Sequence, residues 1–82
     1  MNEVFLMGEI ISDIDFKFMI ESKHIAISVF NIRTLDNQII CIKAYDNLAD
    51  FSYSKLKEND YIFIYGILSD EWVRVKEIRK CN

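Results

Sequence analysis

Proline is absent from this 82-residue sequence, and only two glycines, Gly8 and Gly66, occur in it. Linkers and flexible tails are usually rich in these residue types, so the chain offers no candidate linker. We therefore expect residues 1–82 to form one small domain. A domain of this size is close to the lower limit for a single hydrophobic core, and the hydrophobic content of 51% provides the apolar side chains for it.

Histidine and cysteine are also scarce: the sequence has one histidine, His24, and two cysteines, Cys41 and Cys81. A structural zinc site usually needs four such ligands, so we expect no metal and no cofactor. The N-terminus lacks a basic-then-apolar signal pattern, and the longest apolar run, of about eight residues, is too short to span a membrane. These features predict a soluble, reduced, cytoplasmic protein that does not contact a membrane.

Residue sets that are typical of catalysis are missing as well. The sequence has no Gly-rich phosphate loop, no Ser/His/Asp set and no Cys/His pair. Asp13, Asp15 and Glu21 are close in sequence, but no second type of catalytic group accompanies them. His24 lies beside a predicted turn and is expected to be simply exposed. We therefore expect a binding protein and not an enzyme.

The charge is acidic and unevenly distributed. The formal net charge is −3, with a net −5 on residues 1–70 and a net +2 on residues 71–82. A polyanion would therefore meet local basic patches and not a basic surface overall. This balance argues against a nucleic-acid partner without excluding one.

A short helix followed by a very apolar strand is the clearest pattern in the chain. Apolar positions three to five residues apart predict a helix of two to three turns with a buried stripe at Leu48, Phe51 or Ser52, and Leu56. Asp46 or Asn47 is expected to cap its first amides, and Asn59 to mark its end. The strand that follows has a predicted inner face of Ile62, Ile64, Gly66 and Leu68 and an outer face of Tyr61, Phe63, Tyr65 and Ile67.

The rest of the chain alternates with a period of two and predicts four more strands. The first begins at Val4 and continues, after a bend, to Ile20; the others are His24–Arg33, Gln38–Tyr45 and Trp72–Lys80. Their predicted inner faces are Val4, Leu6, Gly8 and Ile10; Ile25, Ile27 and Val29; Ile40, Ile42 and Ala44; and Val73 and Val75.

Three turns connect these strands, at Glu21–Lys23, Asp36–Asn37 and Ser69–Glu71. A two-residue turn at Asp36–Asn37 would place Phe30 opposite Lys43 on the outer face. Because the alternation falters at Phe30, Asn31 and Ile32, we expect a bulge or the end of core contact there.

Five strands with one helix between the third and fourth is the element order of the all-β OB-fold, a five-stranded Greek-key barrel. Other α+β arrangements would also accommodate these elements. A glycine within each of two long strands, Gly8 and Gly66, favours the barrel, because closing a small barrel requires sharp bends or bulges.

The chain resembles the bacterial single-stranded DNA-binding protein family over nearly its whole length. Its opening has the pattern Met1-Asn2-x-Val4-x-Leu6-x-Gly8-x-Ile10, and its helix and fourth strand have Tyr45-x-x-Leu48-Ala49 and then Leu56-Lys57-x-x-Asp60-x-Ile62-x-Ile64-x-Gly66-x-Leu68. The resemblance is to a short form, since the hairpins are short and the sequence includes no acidic C-terminal tail. These departures, together with the acidic body, argue against high affinity and replisome recruitment.

The resemblance implies that aromatic side chains of the second, third and fifth strands stack on bases while basic side chains contact phosphates. Tyr45 matches the aromatic residue that ends the third strand, Trp72 falls close to that of the fifth, and Ile39 replaces one that the family usually has. The candidate nucleic-acid-binding residues are Phe30, Arg33, Lys43, Tyr45, Trp72, Arg74 and Lys76.

The expected partner is single-stranded DNA without sequence preference, in DNA replication, repair or recombination, with RNA left open. The alternative is an OB-fold protein-interaction or structural module that does not bind nucleic acid. In that case the outward aromatic side chains are cross-strand packing partners or part of an interface.

An apolar surface on the outside of the barrel predicts a homo-oligomer, either a dimer or a tetramer. The first and fourth strands are neighbours in an OB-fold, so their outer side chains would merge into one patch: Phe5, Met7, Ile11, Phe63, Tyr65 and Ile67. Monomers rarely expose a contiguous apolar area above roughly 300–600 Å². The resemblance points the same way, because family members oligomerise through the first strand.

Overall fold

The computed structural model describes residues 2–20 and 23–81, so Glu21 and Ser22 of the first predicted turn lie outside the described residues. Within this part of the chain the secondary-structure elements are β1 (Glu3–Ile10), β2 (Asp15–Phe18), β3 (Ala26–Thr34), β4 (Ile39–Tyr45), α1 (Asn47–Lys55), β5 (Tyr61–Ser69) and β6 (Trp72–Cys81). The strands β1, β5, β6, β4 and β3 form a closed barrel, and β2 extends the sheet beyond β3. The prediction of an all-β OB-fold with one helix before its fourth barrel strand is confirmed.

The barrel closes where β1 pairs with two neighbours. Residues 3–9 of β1 pair antiparallel with β5, and Gly8 to Ile10 also pair antiparallel with β3. A Cβ atom on Gly8 would lie 2.6 Å from the carbonyl oxygen of Arg33. Glycine is therefore required at this position, because β1 and β3 approach each other too closely for a side chain.

β2 is a separate strand and not a bent continuation of β1, although it pairs with the same neighbour. Asp15 lies opposite Val29 and Phe18 opposite Ala26. Between β1 and β2 the side chain of Ser12 interrupts the ladder, because its Oγ accepts a hydrogen bond from the Asn31 amide at 2.9 Å. One side-chain bond thus replaces a backbone bond at the break.

The hydrophobic core fills the barrel, and α1 closes one of its ends. The buried core side chains are Ile10, Phe30, Ile32, Ile42, Ala44, Leu56, Ile62, Ile64, Val73, Val75 and Ile78. Leu48 and Phe51 pack against this cluster, as the spacing of the helix predicts. The buried Ser28 hydroxyl donates to the Ala49 carbonyl at 2.8 Å, which joins β3 to the helix. The helix ends at Lys55, before Asn59, and Leu56 is its C-cap.

The face assignment of the second predicted strand is wrong, because its turn is one residue longer than predicted. Thr34 and Gln38 pair across a three-residue loop, in which Asn37 has the left-handed φ of 65°. This moves the register by one residue, and such a shift turns every side chain to the other face. The inner face of β3 is consequently Ala26, Ser28, Phe30 and Ile32 instead of Ile25, Ile27 and Val29.

The β5–β6 hairpin turns at Asp70–Glu71, within the predicted turn, and contains a β-bulge beside Gly66. Tyr65 pairs with Glu77 and Gly66 with Val75, so Lys76 is the extra residue. A Cβ atom on Gly66 would come closer than 3 Å to the Arg74 carbonyl oxygen. Leu68, predicted to face inward, is 37% exposed at the end of the barrel opposite α1.

Among the described residues no helix is long and apolar enough to cross a membrane. Within residues 2–20 and 23–81 there is also no group of three or more His, Cys, Asp or Glu side chains that could hold a metal ion.

Candidate nucleic-acid interface

The candidate interface is the outer surface of two neighbouring strands, β4 and the first half of β6, which run parallel to each other. Cys41 lies beside Trp72, and Lys43 beside Arg74. Because side chains alternate along a strand, these residues and Tyr45 point away from the core, where Ile42 and Val73 are buried. We call Cys41, Lys43, Tyr45, Trp72 and Arg74 the β4–β6 face.

A lysine and a tryptophan meet at the centre of this face. The Lys43 ammonium lies 4.3 Å from the centroid of the Trp72 ring, within cation–π distance. Arg74 is exposed on the next strand, and within the described part of the chain neither Lys43 nor Arg74 forms an ion pair. An aromatic ring and two cations without acidic partners are thus placed together.

Tyr45 lies at the far end of the same face, roughly 13 Å along β4 from the level of Trp72. Its half-buried ring packs on the imidazole of His24, with 4.4 Å between the ring centroids and an angle of 30° between the ring planes. His24 Nδ1 in turn lies 2.8 Å from Asp46 Oδ2. His24 is therefore half-buried and bonded, in contrast to the expectation that it is simply exposed.

The carboxylate of Asp46 holds the beginning of β3 instead of capping α1. The backbone amides of Ile25 and Ala26 donate to Asp46 Oδ1 at 2.6 and 3.2 Å. Asp46 is the N-cap residue by position, but its side chain makes no capping hydrogen bond to the helix. The hydrogen bond to His24, followed by that from Ile25, holds the pKa of the Asp46 carboxyl below its ordinary value of 3.8.

Three of the seven predicted binding residues lie outside this face. Phe30 is 2% exposed and belongs to the core, so its predicted outward position is wrong. Arg33 faces outward on β3, where its guanidinium is 3.9 Å from the Glu9 carboxylate. Lys76 lies in the β-bulge and leans toward Tyr65, with its ammonium 5.9 Å from that ring centroid. The structure brings together Lys43, Tyr45, Trp72 and Arg74.

Two residues that the sequence reasoning did not select lie close to this face. His24 contacts Tyr45, and no sequence pattern links a histidine to an aromatic residue so far along the chain. Lys17 lies opposite Ile27, which itself pairs with Tyr45, and its ammonium is 3.8 Å from Asp15. The signal for Lys17 is the pairing of β2 with β3, which the sequence pattern did not predict.

A groove of about 620 Å³ opens beside Trp72 at the end of the barrel opposite α1. Its apolar lining includes Val4, Leu6, Ile39, Ile40, Leu68 and Val73, and its polar lining Asn31, Gln38 and Glu71. The Glu71 carboxylate would repel phosphate groups. The groove therefore does not continue the cationic surface of Lys43 and Arg74.

A second outer surface lies on β1 and β5 and has a different composition. It consists of Phe5, Met7, Phe63, Tyr65 and Ile67, which we call the β1–β5 face; Ile11, predicted to belong to it, follows the end of β1. The Phe5 ring is 68% exposed and lies 4.8 Å from that of Tyr65 and 6.2 Å from that of Phe63. The Tyr65 hydroxyl donates to Glu3 Oε2 at 2.7 Å, which raises the pKa of Tyr65 above its ordinary value of 10.0.

No protein-family model and no curated protein sequence matches the chain. Solved structures do match. The single-stranded DNA binding protein from Thermus aquaticus superposes with a TM-score of 0.88 and is 18% identical in sequence, over 100% of this chain and 41% of that chain. A deletion mutant of the same protein superposes with a TM-score of 0.78 and is also 18% identical, over 100% of this chain and 51% of that chain. The SSB domain of a Synechococcus sp. protein superposes with a TM-score of 0.79 and is 10% identical in sequence, over 96% of this chain and 94% of that chain.

These similarities establish the fold. The chain has the OB-fold seen in bacterial single-stranded DNA-binding proteins, and the sequence-based resemblance is confirmed at that level. It spans about two fifths of the length of the Thermus aquaticus protein.

Proposed function

We propose that this protein binds single-stranded DNA without sequence preference through the β4–β6 face, and that it serves DNA replication, repair or recombination in the cytoplasm. The observation that supports this most directly is the Lys43 ammonium 4.3 Å above the ring of Trp72. A ring can stack on any base, and a neighbouring cation can neutralise the adjoining phosphate. The proteins of similar fold are named for binding single-stranded DNA, which agrees with this proposal.

The proposed path of the strand runs along β4 from Trp72 to Tyr45, past Lys43 and Arg74. Arg33, Lys76 and Lys17 lie at the edges of this path and contribute less, because two of them are close to carboxylates. RNA offers the same bases and phosphates, and RNA of equal length is therefore a necessary competitor in the test.

We further propose that the protein is a homodimer or homotetramer that associates through the β1–β5 face. Phe5 and Met7 are exposed there beside the rings of Phe63 and Tyr65. Pairing such a patch with its own copy about a twofold axis covers it on both protomers at once.

The test is the binding of fluorescein-labelled oligo-dT, followed by anisotropy at two salt concentrations. A base stacked on an aromatic ring contributes about 1–3 kcal/mol, so Trp72→Ala and Tyr45→Ala should each raise the Kd at least severalfold. Quenching of Trp72, the only tryptophan, gives an independent signal in the wild type and in Tyr45→Ala. Duplex DNA should bind more weakly, because its stacked bases hide the surfaces that these rings need.

Tyr53→Ala is the matched control, since Tyr53 is exposed on α1 and its ring packs against Phe16 of β2 and not against a residue of the β4–β6 face. Its Kd should equal that of the wild type. Absence of binding at low salt, or an equal Kd in all four proteins, would contradict the proposal. The alternative of a protein-interaction module would then stand, and the exposed side chains of Phe5 and Met7 on the β1–β5 face are the observation that favours it.

A further inference from the structure

The chain makes an unusual turn between β4 and α1, at Asp46. This residue has φ 54° and ψ −118°, a conformation that residues with a side chain rarely adopt. Its amide donates to the Ala26 carbonyl at 2.9 Å, and its own carbonyl accepts from the Asp50 amide at 3.0 Å. Backbone strain of this kind persists where surrounding contacts enforce it, and it is concentrated at functional sites.

The turn directs the Asp46 carboxylate toward β3 and His24 and not toward the helix. One carboxylate oxygen accepts from the amides of Ile25 and Ala26, and the other lies 2.8 Å from His24 Nδ1. Three groups are thus held by one carboxylate, and two of them are backbone amides at the beginning of β3. The position of the imidazole is fixed relative to the end of β4.

The fixed imidazole covers one side of the Tyr45 ring. The ring centroids are 4.4 Å apart and the ring planes are tilted by 30° to each other, so the two rings are in direct contact. Tyr45 lies two residues after Lys43 on the outer side of β4. Its backbone is held by the pairing of β4 with β3, and His24 contacts its ring. Only its remaining surface is available to a base.

We infer that His24 is a positioning residue for nucleic-acid binding: its imidazole, anchored by Asp46, holds the Tyr45 ring in the orientation in which a base stacks on it. This inference rests on the proposed function. A freely rotating ring loses conformational entropy when a base stacks on it, whereas a ring already held in place does not. His24 need not touch the DNA for this effect.

The inference requires that His24 act through Tyr45, and a double-mutant cycle measures this. Kd values for labelled oligo-dT are determined for the wild type, His24→Ala, Tyr45→Ala and the double variant. Immobilising one side chain affects binding by about twofold to tenfold, so His24→Ala should raise the Kd by that factor. In the Tyr45→Ala background the same substitution should have no further effect.

Two further substitutions separate the ring of His24 from its hydrogen bond. His24→Phe keeps a flat ring against Tyr45 and loses the bond to Asp46, while His24→Gln keeps a donor for Asp46 and has no ring. The Kd of His24→Phe should be closer to that of the wild type than the Kd of His24→Gln. Thermal melting of each variant sets a temperature at which all of them are folded.

The outcomes distinguish this inference from the proposed function. If the wild type binds and Tyr45→Ala weakens binding, but His24→Ala binds like the wild type, the inference alone fails. It also fails if the effects of His24→Ala and Tyr45→Ala are additive, or if His24→Gln restores binding and His24→Phe does not. If the wild type does not bind oligo-dT, the proposed function fails and the positioning role fails with it.

Discussion

The two outer faces of this barrel are built by the same alternation of side chains and differ in what accompanies their aromatic rings. On the β4–β6 face the Trp72 ring is covered by the Lys43 ammonium. On the β1–β5 face the largely exposed ring of Phe5 is stacked on that of Tyr65. A ring beside a cation suits a polyanion with bases, whereas rings packed on rings suit another apolar surface.

The difference shows that outward aromatic residues on a strand do not by themselves indicate function. What distinguishes the two faces is the side chain that reaches the ring from the neighbouring strand, which is Lys43, diagonal to Trp72, on one face and Tyr65, directly opposite Phe5, on the other. The boundary between them is the bulge in which Lys76 is inserted between Val75 and Glu77, next to Gly66. Four changes would break or sharpen this contrast, and they follow from the largest expected effect to the smallest.

A charge on the β1–β5 face should separate the proposed oligomer completely. Phe5→Asp places a carboxylate among the rings of Phe63 and Tyr65, and burying it in an interface without a partner is strongly unfavourable. Sedimentation at micromolar concentration should show a dimer or tetramer for the wild type and a monomer for Phe5→Asp. Phe18→Asp is the control, because Phe18 is 74% exposed but lies on β2, outside this face. A monomeric wild type would refute the assembly.

A side chain at Gly66 should destabilise the bulge that separates the two faces. In Gly66→Val the new atoms would overlap the Arg74 carbonyl and the Val73 side chain. Overpacking of this kind costs about 1–3 kcal/mol, and each kcal/mol lowers the Tm of a domain of this size by about 4–8 °C. The measurement is thermal melting, with the neighbouring Ile67→Val as a mild control. Unchanged melting would mean that the inner and outer faces of β5 are assigned the wrong way round.

Removing one cation from the β4–β6 face should reduce the salt dependence of binding by about one phosphate contact. On single strands each contact contributes about 0.7 to the slope of log K against log salt. The wild-type slope should be shallow, since residues 1–70 carry a net charge of −5. Lys43→Gln should lower it by about 0.7, whereas Lys55→Gln, at the end of α1, should leave it unchanged. Equal slopes in all three proteins would mean that Lys43 does not contact a phosphate group.

Acid should weaken the Asp46 turn at one end of the β4–β6 face, because this turn depends on an ionised carboxylate. The pKa of Asp46 is lowered by the fold, so its ionised form stabilises the folded state. This contribution is present above the unfolded value, near 3.8, and is lost as the pH falls through the lower folded value. Urea unfolding between pH 5 and about 2.5 should therefore show a steeper loss of stability in the wild type than in Asp46→Asn. The same dependence of stability on pH in the wild type and in Asp46→Asn would contradict this role of the Asp46 carboxylate.

The positions of the helix and of most strands followed from local pattern, and the wrong face assignment of β3 came from one turn. The alternation of Ile40, Ile42 and Ala44 predicted the inner face of β4 directly, because the charged Lys43 lies between Ile42 and Ala44 and belongs to the opposite face. In β3 both faces are apolar, so alternation alone did not choose between them. The choice depended on the length of the loop before β4, and the left-handed conformation of Asn37 made that loop three residues long.

The candidate site was predictable only in part for the same reason. Lys43, Tyr45, Trp72 and Arg74 lie on strands whose alternation is unambiguous, and all four face outward as expected. Phe30 was misplaced by the register of β3, and His24 was not selected. Its contact with Tyr45 depends on the turn at Asp46, a conformation that aspartate rarely adopts and that no pattern of residue types indicates.

By itself the sequence determined the fold class, because side-chain periodicity and the two glycines specify strands, helix and the close approaches of a small barrel. Only the tertiary structure decided that Trp72 contacts a cation, that Phe5 contacts another ring and that Phe30 is buried. Those contacts join residues far apart in the chain, such as Lys43 with Trp72 and His24 with Asp46. They depend on strand order and on a register that a single residue in one loop is sufficient to shift.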